Sequence, residues 1–413
     1  MHLILTIFLI LFSSNLWSLT FKDGKQVNED VQNEIKIQKE THSKNFQIQN
    51  PGVIFISKDM FLNNILTYSE NLNWACKINR TKPLTEFPLP TKTIKHSEWN
   101  NYEIFMNEEV TNYFRSYCGY LINGGDFQNY KDNLLDIIDK GGLKNMPNPG
   151  DNSDFPYSYS INLVPILLYY SFSQELFNAQ EKEIIRNWLE SLTLKYEYTF
   201  DRPNNHRLFY LNYLLAHSIV FNDEKLFNHS INLFKSTMNE EWTKEGLLKT
   251  ESERGSCALH YNYHALNPIF GFIFNAKMQG LDLFSEPISK DFTIRDIVDS
   301  IYKATLNTDM LKKYSKTNRA GDTCLDNKGF SHTNSRNPEY IYTNLSSHQN
   351  AWLLFYESQY GHEAIERYKL IELPERSGFQ MYATGKLVNG FSNSSLGAIP
   401  CLFFLEDNPM ICK

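Results

Sequence analysis

The sequence lacks several features that would place it in a familiar class of protein. Beyond the N-terminal segment, no apolar run reaches the length of about 18 residues that indicates a membrane-spanning helix. The 40 Lys and Arg are outnumbered by 47 Asp and Glu, and the formal net charge is -7. A chain that coats nucleic acid or anionic membrane needs an excess of positive charge. We therefore expect no nucleic-acid partner and no membrane attachment of the mature protein.

Motifs for nucleotide binding, serine hydrolysis and zinc proteolysis are also missing. There is no Gly-rich phosphate loop, Rossmann fingerprint or GxSxG elbow. His260 and His264 have the i, i+4 spacing of a helical zinc pair, but Tyr261 stands where an HExxH motif has Glu. Glu251 and Glu253 could be hydrolase carboxylates, yet a regular helix would not aim residues two apart at one bond, so solvation is expected. We expect neither a metal nor a cofactor.

The first segment indicates export. Residues 3–12 form an apolar run that is too short to span a bilayer, and polar residues follow it. We expect residues 1–18 to be a cleaved signal peptide, with a buried first helix as the alternative. The mature protein would then be secreted or periplasmic, and a monomer is expected. Residues 19–57, which begin with a polar, lysine-rich stretch, are expected to be a mobile lead-in.

The six cysteines of an exported chain favour disulfides over a metal site. They form no CxxC pair, and no Cys/His cluster has zinc-finger spacing. Their pairing is open from the sequence, with a preference for Cys401 with Cys412 and for Cys76 with Cys118.

Apolar residues spaced three and four apart predict a succession of helices from residue 58 onward. No linker rich in Pro, Gly and Ser divides the chain, so residues 58–413 are expected to form one domain. The expected fold class is all-α, an (α/α) toroid or incomplete barrel of helical hairpins, with an open solenoid as the alternative. Short strands are possible near the C-terminus, at Gln380–Leu387 and Ile399–Leu405. The predicted helices are 58–72, 104–122, 127–141, 159–173, 180–198, 205–221, 223–239, 256–278, 291–305 and 348–358.

One segment with chemically useful side chains follows Pro203, where two asparagines supply an N-cap and place His206 in the first turn of a helix. On that helix His206 shares one face with Tyr210, Tyr213 and His217, which indicates an inner helix that lines a cleft. For Tyr213 and His217 a buried, hydrogen-bonded position in the core is the alternative.

A second segment surrounds Arg254 and Tyr261. The two residues are seven apart, which is about 10 Å of rise in a continuous helix, and their long side chains could narrow that gap. A guanidinium close to a phenol favours the phenolate, so Tyr261 is a candidate acid and base. Arg and Tyr also meet on many helix surfaces that have no chemical role.

Together the two segments resemble the family of alginate lyases. That family is marked by Asn-Asn-His at the start of an inner helix and by an Arg seven residues before a Tyr in an Ala-Leu-x-Tyr-x-x-x-Ala-Leu run. Here the motifs are Asn204-Asn205-His206 and Arg254 with the run 258–266. The sequence departs from the family at Cys257, where the family has a second Arg, and at Phe209, where it has Trp.

The resemblance implies a polysaccharide lyase that cleaves poly-β-D-mannuronate, an anionic polysaccharide, by β-elimination within an all-helical toroid. Asn205 and Arg254 would neutralise the substrate carboxylate, His206 would assist or act as the base, and Tyr261 would take and return the proton. Further sugar contacts are expected from His260, Tyr157, Tyr159 and Arg376.

Two alternatives remain open at this point. One is a lyase of the same design that acts on another polyuronate, such as glucuronan. The other is an exported glycan-binding protein without turnover, or a hydrolase.

Overall fold

The computed structural model describes residues 46–67, 113, 117, 119–122, 127–140, 155–195, 204–240, 242–314 and 352–361. These ranges contain helices, turns and isolated bridges, and no extended strand. Two 3-10 turns cover Gln174–Leu176 and Gly255–Cys257. The α-helices are α1 (Lys58–Thr67), α2 (Phe127–Lys140), α3 (Phe155–Ser173), α4 (Ala179–Lys195), α5 (Asn205–Val220), α6 (Glu224–Glu240), α7 (Lys249–Ser252), α8 (Ala258–Met278), α9 (Ile294–Leu306), α10 (Asp309–Lys312) and α11 (Trp352–Tyr360).

The all-helical prediction is confirmed over the described ranges. Nine of the ten predicted helices coincide with α1 to α6, α8, α9 and α11, with ends that differ by a few residues. For the remaining prediction, 104–122, residues 119–122 are helical. In the same part of the chain, no helix is long and apolar enough to cross a membrane. The predicted signal peptide and the two predicted C-terminal strands lie outside the described residues.

Helix α5 is the centre of the fold. It packs against α3, α6 and α8, and 14 of its residues are buried. A helix surrounded on several sides has no solvent-facing stripe. Tyr210, Tyr213 and His217 are all buried, and the Tyr213 hydroxyl donates to the Leu189 carbonyl at 2.8 Å. The prediction of a cleft-lining position is therefore wrong for Tyr210, and the alternative position in the core is confirmed for Tyr213 and His217.

The packed part of the chain begins before residue 58. The backbone N–H of Phe46 donates to Asn228 Oδ1 at 2.7 Å, and that of Phe55 donates to Asn275 Oδ1 at 2.8 Å. Ile54, Phe55 and Ile56 are buried in the main core. Residues 46–57 thus belong to the folded body, because backbone N–H groups in this segment bond to α6 and α8 and its apolar side chains enter the core.

Candidate active site

The N-terminus of α5 forms one side of the candidate site. Asn204 is its N-cap, and its side chain accepts a hydrogen bond from the Arg207 N–H at 3.2 Å, as the sequence predicts. Asn205 and His206 are the first two residues of the helix. Asn205 is buried, whereas His206 is partly exposed. The cap therefore places both residues of the Asn-His pair where the helix begins.

The amide of Asn205 is buried without a hydrogen-bond partner. Within the described part of the chain, neither its Oδ1 nor its Nδ2 finds a donor or acceptor. An unsatisfied buried amide costs about 1–3 kcal/mol, so it calls for an explanation in a folded protein. A donor held ready for a ligand is one such explanation.

Arg254 and Tyr261 meet across a break in the helical backbone. The chain leaves α7, passes through the 3-10 turn Gly255–Cys257 and enters α8. Gly255 has φ of 60°, a left-handed conformation that glycine adopts without a steric penalty. The Arg254 guanidinium carbon lies 3.2 Å from the centre of the Tyr261 ring. This distance confirms that Arg254 and Tyr261 lie close together. In a continuous helix the two residues would be separated by about 10 Å of rise, so the break brings the side chains nearer to each other.

Glu251 links the two sides of the site. Its side chain is fully buried, and the structure shows that the prediction of a solvated residue is wrong. Oε1 accepts a hydrogen bond from the Asn205 backbone N–H at 2.7 Å, and Oε2 accepts one from Arg254 Nη1 at 3.1 Å. A buried carboxylate is tolerated when it is paired in this way. Its i, i+3 spacing to Arg254 was the signal in the sequence that could have identified it.

A second buried asparagine ties α7 to α8. Asn262 accepts a hydrogen bond from the Leu248 N–H at 2.8 Å and donates to the Ala258 carbonyl at 2.9 Å. It also donates to the Ser252 hydroxyl at 3.2 Å. These bonds hold the segment that carries Glu251 and Arg254 against the first turn of α8, where Tyr261 lies.

The surroundings of Tyr261 are mostly aromatic. Its ring lies 4.8 Å from the ring of His260 and 6.5 Å from that of His264, between centres. His264 is buried and lies 5.0 Å from the Phe209 ring. In the described ranges no group of three or more His, Cys, Asp or Glu could hold a metal ion. Both histidine rings lie beside the ring of Tyr261.

Cys257 packs directly against Tyr261 and is disulfide-bonded. The preference for disulfides over a metal site is confirmed for this cysteine. The four cysteines of the two preferred pairs lie outside the described residues. The disulfide occupies the position at which the resembled family has its second Arg.

The other predicted sugar contacts, Tyr157, Tyr159 and Arg376, cannot be located relative to Tyr261, because their side chains lie outside the described part of the structure. Tyr157 and Tyr159 lie in the first turns of α3, and their side chains are not among those described. Arg376 lies outside the described residues. The candidate site therefore consists of Asn205, His206, Arg254 and Tyr261, with His260 beside Tyr261.

Comparisons with known proteins identify a family model and several solved structures that are similar to this chain. Residues 161–310 match the family model described as alginate lyase. A Tyr-to-Phe variant of alginate lyase A1-III, complexed with tetrasaccharide, superposes with a TM-score of 0.57 at 15% identity, covering 76% of this chain and 89% of that one. No curated protein matches the sequence.

Two further solved structures give the same result. Alginate lyase A1-III from Sphingomonas species A1 has a TM-score of 0.53 at 15% identity, covering 76% of this chain and 90% of that one. An alginate lyase from Bacteroides ovatus has a TM-score of 0.51 at 13% identity, with 80% and 98% covered. At these identities the structures establish the fold.

The fold is an all-helical (α/α) toroid, like that of alginate lyase A1-III. The resemblance to the alginate lyase family is confirmed by the family model over residues 161–310, which contain both sequence motifs.

Proposed function

We propose that the protein cleaves mannuronate-rich alginate by β-elimination, with Tyr261 as the acid and base. The observation that carries this proposal is the Arg254 guanidinium 3.2 Å from the centre of the Tyr261 ring. A cation at that position favours the phenolate and so prepares the hydroxyl to remove a proton.

The reaction itself sets the requirements for the site. Removing the proton at C5 of a uronate places negative charge beside a carboxylate that is already ionised. The C4–O4 bond then breaks, a C4=C5 double bond forms and the leaving O4 takes up a proton. A catalyst must therefore supply hydrogen-bond donors or cations at the carboxylate, together with a base and an acid.

The residues of the site match these requirements. The Asn205 amide is buried and without a partner in the described structure, so its N–H is available to a substrate carboxylate. Arg254 supplies positive charge, and its ion pair with Glu251 uses Nη1. His206 is partly exposed in the turn that carries Asn205 and would assist at the carboxylate or act as the base.

One tyrosine can serve both proton transfers. In mannuronate the C5 proton and O4 lie on the same face of the ring, so the Tyr261 phenolate would take the C5 proton and return it to O4. His260 would contact a sugar beside this position.

A lyase assay on a panel of polyuronates tests the proposal. With mannuronate-rich alginate we expect the ultraviolet absorbance of a conjugated unsaturated uronate, in the presence of a chelator as well as in its absence. A faster reaction with glucuronan would reassign the substrate. New reducing ends without the absorbance would indicate a hydrolase and overturn the proposal.

We further propose that the protein is exported. A disulfide at Cys257 supports this, since disulfides persist in oxidising compartments. Fractionation of the native host should recover a protein without residues 1–18 outside the cytoplasm, and an unprocessed cytoplasmic protein would contradict the proposal.

A further inference from the structure

We infer that Glu251 is a positioning residue that holds Asn205 and Arg254 in one catalytic arrangement. The inference rests on the proposed function for its effect on turnover. The geometry that supports it is independent of the substrate, because it concerns contacts within the chain.

The first step of the argument is that one carboxylate serves two segments that are distant in sequence. Asn205 and Glu251 are 46 residues apart, and Oε1 of Glu251 accepts the backbone N–H of Asn205 at 2.7 Å. The first N–H groups of a helix have no partner within the helix. Glu251 therefore fixes the end of α5 that carries Asn205 and His206.

The second step concerns Arg254. Oε2 of Glu251 accepts from Arg254 Nη1 at 3.1 Å, and the guanidinium is simultaneously stacked on Tyr261. Arginine has a long side chain with several rotamers, and the ion pair with Glu251 adds to the stacking contact a second restraint on its position. The ion pair with Glu251 and the stacking on the Tyr261 ring together fix the orientation of the Arg254 guanidinium.

The third step is burial. The Glu251 side chain is 0% exposed and that of Arg254 is 11% exposed. A buried ion pair is maintained only with good geometry and full hydrogen bonding, and removing one partner leaves the other charge uncompensated. The pair is therefore a rigid unit, and losing the Glu251 charge would release the guanidinium from the ring.

Glu251→Gln tests this role. The glutamine can accept only one of the two N–H groups and presents its own NH₂ to the other. We expect kcat to fall by about 10²-fold, as for a small misplacement of catalytic groups, with KM changed much less. Glu251→Asp keeps the charge and should retain more activity than Glu251→Gln. Glu253→Gln makes the same chemical change two residues away on a partly exposed side chain and serves as the control.

The pH profile separates positioning from a general loss of structure. Tyr261 is faced by Arg254 from the preceding turn and by His260 and His264 on its own helix. If the Arg254 guanidinium moves away from the Tyr261 ring, the Tyr261 phenolate is less favoured. In Glu251→Gln the ascending limb of the pH profile of kcat/KM should therefore move to higher pH. An unchanged limb with unchanged kcat would overturn the inference.

Crystal structures of the wild type and Glu251→Gln provide the second measurement. We expect the distance from the Arg254 guanidinium to the Tyr261 ring to increase in the variant. A guanidinium that stays on the ring would contradict the positioning role, whether or not the protein proves to be a lyase. Absence of elimination by the wild type on every polyuronate would instead count against the proposed function. If Glu251→Gln does not fold, Glu251→Asp is used for both measurements.

Discussion

The Arg254 guanidinium lies on the face of the Tyr261 ring, 3.2 Å from its centre, although a 3-10 turn separates the two residues. This contact gives Tyr261 a neighbouring cation in a partly enclosed position.

Replacing Arg254 by lysine should show that the guanidinium itself is required. A lysine keeps the charge but cannot stack or present a planar fork to Glu251, so we expect kcat/KM to fall by about 10²-fold. Arg295 provides a control, since its guanidinium lies 5.8 Å from the Tyr360 ring, away from the site. Steady-state kinetics of Arg295→Lys should match the wild type, and equal losses in the two variants would contradict a specific role for Arg254.

Two buried asparagines should respond differently to replacement by alanine. Asn205→Ala removes an amide that has no partner in the described structure, so the free energy of unfolding should change by less than about 1 kcal/mol while activity falls steeply. Asn262→Ala removes an amide that makes three hydrogen bonds, and stability should fall by about 1–3 kcal/mol. Urea unfolding and a lyase assay measure both effects. A large loss of stability in Asn205→Ala would show that its amide serves the fold.

The disulfide at Cys257 should support both stability and turnover. Tyr261 packs against Cys257, so breaking the bond loosens the turn between Arg254 and Tyr261. Cys257→Ser should lower the free energy of unfolding by about 2–5 kcal/mol and reduce kcat. Cys257→Ala should give the same losses if the bond, rather than the new hydroxyl, is responsible. Wild-type stability in either variant would contradict this role.

His217 should make the protein less stable in acid. Burial, with a smaller contribution from Arg186, lowers the pKa of His217 from 6.5 to about 3. The unfolded chain therefore binds a proton that the folded chain excludes between these values, and stability is lost as pH falls through this window. The slope is at most about 1.4 kcal/mol per pH unit. Denaturation between pH 4 and 7 should show a shallower slope for His217→Leu than for the wild type, and identical slopes would refute the assignment.

The sequence allows much of the fold to be predicted because helical periodicity is a local property. The predicted cap at Asn204 is observed, since it depends on neighbouring residues alone. The position of Tyr213 and His217 was not decided by the sequence, because a face of tyrosines and histidines fits either a cleft or a core. Only the packing of α5 among α3, α6 and α8 distinguishes the two.

The candidate site shows the same division between local and distant information. The spacing of Arg254 and Tyr261 indicates that they could meet. Burial of Glu251 depends on the start of α5, which lies 46 residues away in the sequence. A neighbouring pair of acidic residues normally indicates solvation, and the i, i+3 spacing to Arg254 is the local feature that separates Glu251 from Glu253.

Replacing Tyr261 by phenylalanine is the most direct test of the central claim, that this hydroxyl transfers the proton. With mannuronate-rich alginate, the wild type should generate the absorbance of unsaturated uronate, and Tyr261→Phe should generate none while still binding a mannuronate oligosaccharide in calorimetry. Tyr263→Phe is the matched control, because Tyr263 follows Tyr261 by two residues and its hydroxyl is buried. That hydroxyl contacts the Thr305 hydroxyl at 2.8 Å. The control variant should remain active. Substantial elimination by Tyr261→Phe would contradict the account.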